Sequence, residues 1–117
     1  MENKSAIAAL SALAQNTRLE TFRLLVRHEP DGIPAGELAR VLDVPQNTMS
    51  AHLATLSRAG LVKSQRQSRS IIYRADLDGF RDLTLFLLKD CCGGSIELCA
   101  PLIAELTPRC EPGAKLC

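Results

Sequence analysis

Five cysteines fall in the last 27 residues of this 117-residue chain, and the first 90 residues contain none. Three of them cluster: Cys91 and Cys92 are adjacent, and Cys99 follows across Gly93-Gly94. The vicinal pair is poorly suited to a structural disulfide. Neighbouring Cα atoms lie about 3.8 Å apart, whereas disulfides want roughly 4.4 Å or more. Two adjacent thiols, with a third brought in over two glycines, instead suit a soft thiophilic ion. Buried free cysteine explains one such residue easily and three beside two glycines poorly. Cys110 and Cys117 are weaker ligand candidates, because they stand in a stretch containing Pro108, Pro112 and Gly113.

A second group of residues could read nucleic acid. From Val44 to Ala75 the chain carries Arg58, Lys63, Arg66, Arg69 and Arg74 and no Asp or Glu; the remaining residues hold nine of the 14 basic residues against all 13 acidic ones, a balance of −4. A basic segment on an otherwise acidic protein is the footprint of a nucleic-acid reader, with a solvated face as the bland alternative. Inside that window Gln46, Asn47, Thr48, Ser50 and His52 open a predicted helix. Gln and Asn can pair bidentately with adenine, and Ser and Thr can reach bases or phosphates. Taken singly, Asn47 could simply cap the helix and Ser50 and His52 could be ordinary exposed polar residues; together, opposite an apolar face, they favour DNA.

The elements that position these groups can be read from periodicity. Ala6, Leu10 and Leu13 are expected to line one face of a first helix. Thr17 is expected to cap a second, with Glu20 completing a capping box and Phe22, Leu25 and Val26 facing inward. Turn residues from His28 to Gly32 end it. Pro34 suits the first turn of a third helix bearing Leu38, Ala39 and Leu42. Asp43 can take the left-handed turn conformation, and Pro45 forbids a continuous helix. A fourth helix, from about Gln46 to Ala59, should bury Met49, Leu53 and Leu56, with Gly60 closing it. Short helix, tight turn and longer helix make a helix-turn-helix. Leu61 to Arg74 reads as a hairpin, or wing, with a polar tip from Gln65 to Ser70 that presents Arg66 and Arg69 to phosphates or a narrow minor groove. A last helix starting near Asp76 carries Leu77, Phe80, Leu83, Leu85, Phe86, Leu87 and Leu88, more apolar surface than one core needs, so part of it should face another subunit. The expected fold class is therefore mainly α with a β-hairpin, as one domain over residues 1–106 and a flexible tail over 107–117. No signal-peptide pattern or membrane-length apolar run is present. A cytoplasmic protein with reduced thiols is expected.

The stretches Gly36-Glu37-Leu38-Ala39, Val44-Pro45-Gln46-Asn47-Thr48-Met49-Ser50-Ala51-His52-Leu53 and Leu56-Ser57-Arg58-Ala59-Gly60-Leu61-Val62 closely resemble the ArsR/SmtB family of winged-helix metal-sensing repressors. Asn16-Thr17-Arg18-Leu19-Glu20 to Leu25 resembles that family's second helix, and the likeness spans about residues 5 to 90. It implies a homodimer held by the first and last helices, bound to an inverted repeat in double-stranded operator DNA and released when an effector binds. Gln46, Thr48, Ser50 and His52 match positions that face DNA in relatives.

The effector site cannot be inherited from the fold, because members of the family place it variously. Arsenic sensors with a Cys-x-Cys pair carry it in the helix before the recognition helix; here the matching stretch, Glu37 to Asp43, has Ala39 and Val41. Zinc sensors use His and carboxylates on the last helix, and this chain's two histidines, His28 and His52, lie elsewhere. What remains resembles a subgroup of arsenic repressors with a vicinal cysteine pair and a third cysteine just past the last helix. That likeness implies trivalent arsenic or antimony as inducer, held by Cys91, Cys92 and Cys99, with no catalytic cofactor. Zinc or cadmium would need a fourth ligand from Cys110, Cys117 or a partner chain. A thiol redox switch on the same fold is the other alternative. An enzyme such as a small thiol reductase is not expected: there is no Cys-x-x-Cys, no phosphate-binding glycine loop and no His near the cysteines.

Overall fold

Alanine decides how the first helix sits. In the computed structural model, which describes residues 1–88, α1 (Asn3–Leu13) buries Ala6, Ala9 and Ala12. The small side chains let its backbone lie close to the elements beneath it. Leu10, expected to face inward, is instead exposed together with Ile7. Helix α2 (Asn16–Arg27) also differs from expectation at its start. Gln15, not Thr17, is the cap: its side-chain oxygen accepts the Arg18 amide at 2.8 Å. Helical backbone already begins at Asn16, which places Thr17 and Glu20 inside the helix. Facing inward beside Phe22 and Leu25 is Thr21 rather than Val26. Thr21 can be buried because its hydroxyl donates to Thr17 O at 2.7 Å and lies 3.8 Å from Met49 Sδ, so it leaves no unpaired polar atom.

A short strand, β1 (Ile33–Pro34), leads directly into α3 (Ala35–Val41), and α4 (Gln46–Arg58) follows. The wing is β2 (Val62–Gln67) and β3 (Ser70–Ala75), and α5 (Leu77–Leu88) closes the described part. The three strands form one antiparallel sheet in the order β1-β3-β2. Strand β1 was not expected. It is two residues long, and Pro34 is tolerated because it sits on an edge strand. The wing also runs further than its sequence suggested. Pairing continues to Gln67 opposite Ser70, so the tip is only Ser68-Arg69, with Ser68 at φ 54°. Arg69 stands at that tip, while Arg66 lies within β2 opposite Ile71.

Leu25, Leu38, Met49, Leu53, Leu56 and Leu61 are fully buried at the centre of the core. Each such side chain contributes about 1.5–3 kcal/mol relative to exposure, which outweighs any local preference in how the short helices are rotated. The chain divides into two compact units, 1–86 and 87–117. Of the second, only Leu87 and Leu88 belong to the described residues. The cysteine cluster, Cys110, Cys117, the boundary expected at residue 106 and the tail lie outside them. No helix among the described residues is long and apolar enough to cross a membrane.

Candidate nucleic-acid interface

The turn between α3 and α4 is built as its residues require. Asp43 has φ 53°, the Val44 amide reaches Ala39 O at 3.0 Å, and the Met49 amide reaches Pro45 O at 2.9 Å. Pro45, with no amide proton of its own, occupies the cap. Met49, Leu53 and Leu56 are buried and anchor one face of α4. The opposite face carries Gln46, Asn47, Thr48, Ser50, Ala51, Ala54 and Arg58, all exposed and none acidic. Asn47 Oδ1 accepts the Thr48 amide at 2.9 Å, satisfying one of the free donors at the helix start. Ala51 and Ala54 leave the middle of this face smooth, so a helix here can approach the floor of a groove closely. Sequence reading passed over these alanines, whose only signal is their spacing from Asn47 and Arg58.

The residues singled out from sequence separate onto two flanks. Gln46 and Ser50 line a cleft of about 370 Å³ whose other walls are Pro34, Gly36, Arg69 and Tyr73. The structure thus brings the start of α4 and the wing-tip Arg69 to one concave surface. His52 lies on the other flank, half-buried, with Nδ1 3.4 Å from Arg18 Nη1. Its pKa is lowered from the ordinary 6.5, first by burial and then by the Arg18 charge. A guanidinium can only donate, so Nδ1 accepts and the neutral ring carries its proton on Nε2. Arg18 is in turn held by Ala12 O, which accepts from Nε at 2.7 Å.

The wing is fixed at its base by an ion pair. Arg74 Nη2 and Nε donate to the two carboxylate oxygens of Glu29 at 2.8 and 3.2 Å, joining the segment after α2 to β3. Arg74 was part of the basic window in the sequence, but its charge is engaged here. Arg66 and Arg69 have no carboxylate within salt-bridge distance among the described residues.

Two expected results follow from this geometry. Gln46→Ala and Ser50→Ala remove exposed side chains, so they should leave the unfolding transition unchanged and weaken DNA binding by about 1–3 kcal/mol for each hydrogen bond to a base edge that disappears. His52→Ala should weaken binding too, because it also frees Arg18 from the imidazole. Unchanged affinity in the combined Ser50→Ala and His52→Ala variant would remove α4 from the reading head. Arg66→Ala and Arg69→Ala should weaken binding to specific and mixed-sequence DNA alike. The salt dependence should become shallower by about one unit for each phosphate no longer neutralised. An unchanged slope would mean that the wing does not touch the backbone.

Comparison with known proteins bears on the fold and its class. Residues 13–65 match the model of a helix-turn-helix domain family. The chain is 35% identical over 75 residues to the transcriptional activator HlyU of Vibrio cholerae, covering 62% of this chain and 67% of HlyU. A homodimeric winged helix-turn-helix domain of Mycobacterium bovis, a possible ArsR-family regulator, superposes with a TM-score of 0.61 at 22% identity, over 92% of this chain and 89% of that one. The crystal structure of a possible transcriptional regulator for arsenical resistance gives a TM-score of 0.60 at 28% identity, over 86% of this chain and 97% of that one. With a helix-turn-helix whose second helix presents a polar, carboxylate-free face beside a wing, and a relative of this identity and coverage, the chain belongs to the winged helix-turn-helix family of DNA-binding transcriptional regulators.

Proposed function

We propose that the chain is a homodimeric, arsenic-responsive repressor of the ArsR type, which occupies operator DNA through α4 and the wing and dissociates when trivalent arsenic or antimony is bound. The observation that carries the DNA half of this reading is the shared cleft of Gln46, Ser50 and Arg69. A reading helix and a phosphate-seeking arginine there face the same volume. A dimer through the first and last helices is supported by the apolar side chains these helices leave outside: Ile7 is 65% exposed and Leu10 42% on α1, and Leu77 is 45% and Leu85 58% on α5. A monomer seldom leaves so much aliphatic surface on two helices. Two such subunits would set their α4 helices on half-sites about one helical turn apart.

The sensing half rests on donor chemistry. Among the described residues no group of three His, Cys, Asp or Glu could hold a metal ion, so the soft donors are those of the later sequence, Cys91, Cys92 and Cys99. Trivalent arsenic accepts three thiolates and keeps a lone pair, which matches three cysteines without a fourth ligand. Likeness to a possible regulator of arsenical resistance adds to this reading. Coupling of about 1–3 kcal/mol between the thiolate site and the DNA-competent arrangement is what such release requires.

The test is a mobility-shift titration on the DNA upstream of the chain's own coding sequence, with sedimentation to read the oligomer. Arsenite and antimonite should each release the DNA from a dimer, and zinc and cadmium should not. Release by zinc or cadmium alone would replace the metalloid reading with a four-ligand metal sensor. Release by oxidant alone would replace it with a thiol switch.

A further inference from the structure

An α-helix with its side chains is about 10–12 Å across, and the major groove is about 12 Å wide. A reading helix therefore fills the groove from wall to wall, with one phosphodiester strand along each of its flanks. The wing cleft accounts for one flank of α4. On the other flank, two adjoining clefts of about 280 and 370 Å³ share Ala8, Arg58 and Ala59 as walls and run between α1 and the second half of α4.

We propose that this α1–α4 cleft is a second DNA-backbone site, which takes phosphates of the strand opposite the one held by the wing. The inference rests on the DNA-binding reading above and extends it from the exposed face of α4, where Arg58 stands, to α1. Three cations line the cleft: Arg18 and Arg58 in one part, Lys4 and Arg58 in the other. Glu2 is the only carboxylate among the described lining residues. None of the three cations has a carboxylate within salt-bridge distance among the described residues. The Ser5 and Ser11 hydroxyls add donors. Ala8, Ala12 and Ala59 form a low wall that lets a backbone come close.

The end of a helix ordinarily presents unpaired carbonyls, which would repel an anion. Here the Ala59 amide is bonded to Thr55 O, Gly60 to Ser57 O and Leu61 to Leu56 O, so three of the last carbonyls are taken and the cleft meets fewer free acceptors than a bare helix end would offer. Arg18 is pre-oriented by Ala12 O and His52. Distance along α4 fits as well. At 1.5 Å per residue, Arg58 lies roughly 18 Å beyond Gln46. At that separation Arg58 is well past the residues at the start of α4 that can reach base edges, and is left to the backbone beside the helix.

The experiment is the salt dependence of binding to a mixed-sequence duplex, measured on the full chain. Variants are Lys4→Ala, Arg58→Ala, Arg58→Lys, Arg69→Ala and, as a charge-matched control on α5, Arg81→Ala. Each targeted residue is exposed, and thermal melts should superpose on wild type. Lys4→Ala and Arg58→Ala should each lower the slope of log K against log salt by about one unit. They should also weaken binding about tenfold at low salt, while Arg58→Lys keeps the slope and Arg81→Ala changes nothing. If Arg69→Ala lowers the slope and Lys4→Ala and Arg58→Ala do not, the cleft is not a backbone site although the DNA reading stands. An equal loss in Arg81→Ala would mean that net charge is responsible, and overturns the cleft as well. If wild type binds no duplex at any salt, the DNA reading fails and the cleft with it.

Discussion

Serine in place of Cys91, Cys92 or Cys99 is expected to leave operator binding intact and to abolish, or strongly blunt, release by arsenite. Serine keeps the approximate size of cysteine but offers a hard, protonated oxygen where a soft thiolate is needed. A site left with two thiolates has a labile third position, so each of the three substitutions should be close to a full loss. The triple variant should be no worse than any single one. Cys110→Ser and Cys117→Ser should respond as wild type. The readout is the arsenite concentration that half-releases labelled operator, with thiol-to-arsenic charge transfer in the near ultraviolet as an independent count of bound sulfur. A wild-type response from Cys99→Ser combined with a lost response from a tail variant would move the site into the last residues. If all five variants still release DNA with arsenite, metalloid sensing through these thiols fails and the redox switch takes its place.

Gly79→Ala is expected to be strongly destabilising. A Cβ at Gly79 would fall on the backbone oxygen of Gly60, well inside van der Waals separation. Neither side can yield cheaply. Gly60 holds φ 79° at the end of α4, and the next amides are engaged, with Asp76 N donating to Leu61 O at 2.8 Å and Gly79 N to Asp76 Oδ1 at 3.1 Å. Relief comes only if α5 lifts away from the α4–β2 turn. That would separate Phe80 from Phe22, whose rings lie 5.4 Å apart, and uncover Leu83, the one buried residue of α5 among those described. Overpacking of this kind costs about 1–3 kcal/mol. Uncovering Leu83 adds roughly 1.5–3 kcal/mol. The expected drop in Tm is on the order of 10 °C or more, accompanied by weaker self-association, since α5 is one of the two helices proposed to pair. A variant as stable and as dimeric as wild type would show that α5 does not depend on this seat.

How much of this was legible beforehand varies from element to element. The helix-turn-helix was legible because its signals are local. Asp43 and Pro45 constrain the backbone by their own chemistry, and Met49, Leu53 and Leu56 recur at the helical period; all stand where their spacing placed them. Gly60, with φ 79°, ends α4 for the same kind of reason. The cysteine cluster, too, is a statement about types and spacing that needs no coordinates to make.

Other features depended on what each residue meets across the fold. Leu10 is more apolar than Ala9, yet Ala9 is buried and Leu10 is not; which stripe of α1 turns inward is decided by how closely its neighbours approach. Thr21 displaced Val26 from the inner face because a hydroxyl bonded to Thr17 O can be buried without penalty. Thr17 and Glu20 satisfied a capping pattern that Gln15 pre-empted from just ahead of them. Strand β1 has only two residues and no period of its own, so it exists solely through its pairing with β3. The functional surface divides in the same way. That Gln46, Ser50 and Arg69 have side chains able to contact nucleic acid could be read from their types. That they share one cleft, that His52 leans on Arg18, and that Arg74 is committed to Glu29 are long-range pairings between residues distant in the chain. Composition and period record which residues could meet, and only the packed core settles which of them do.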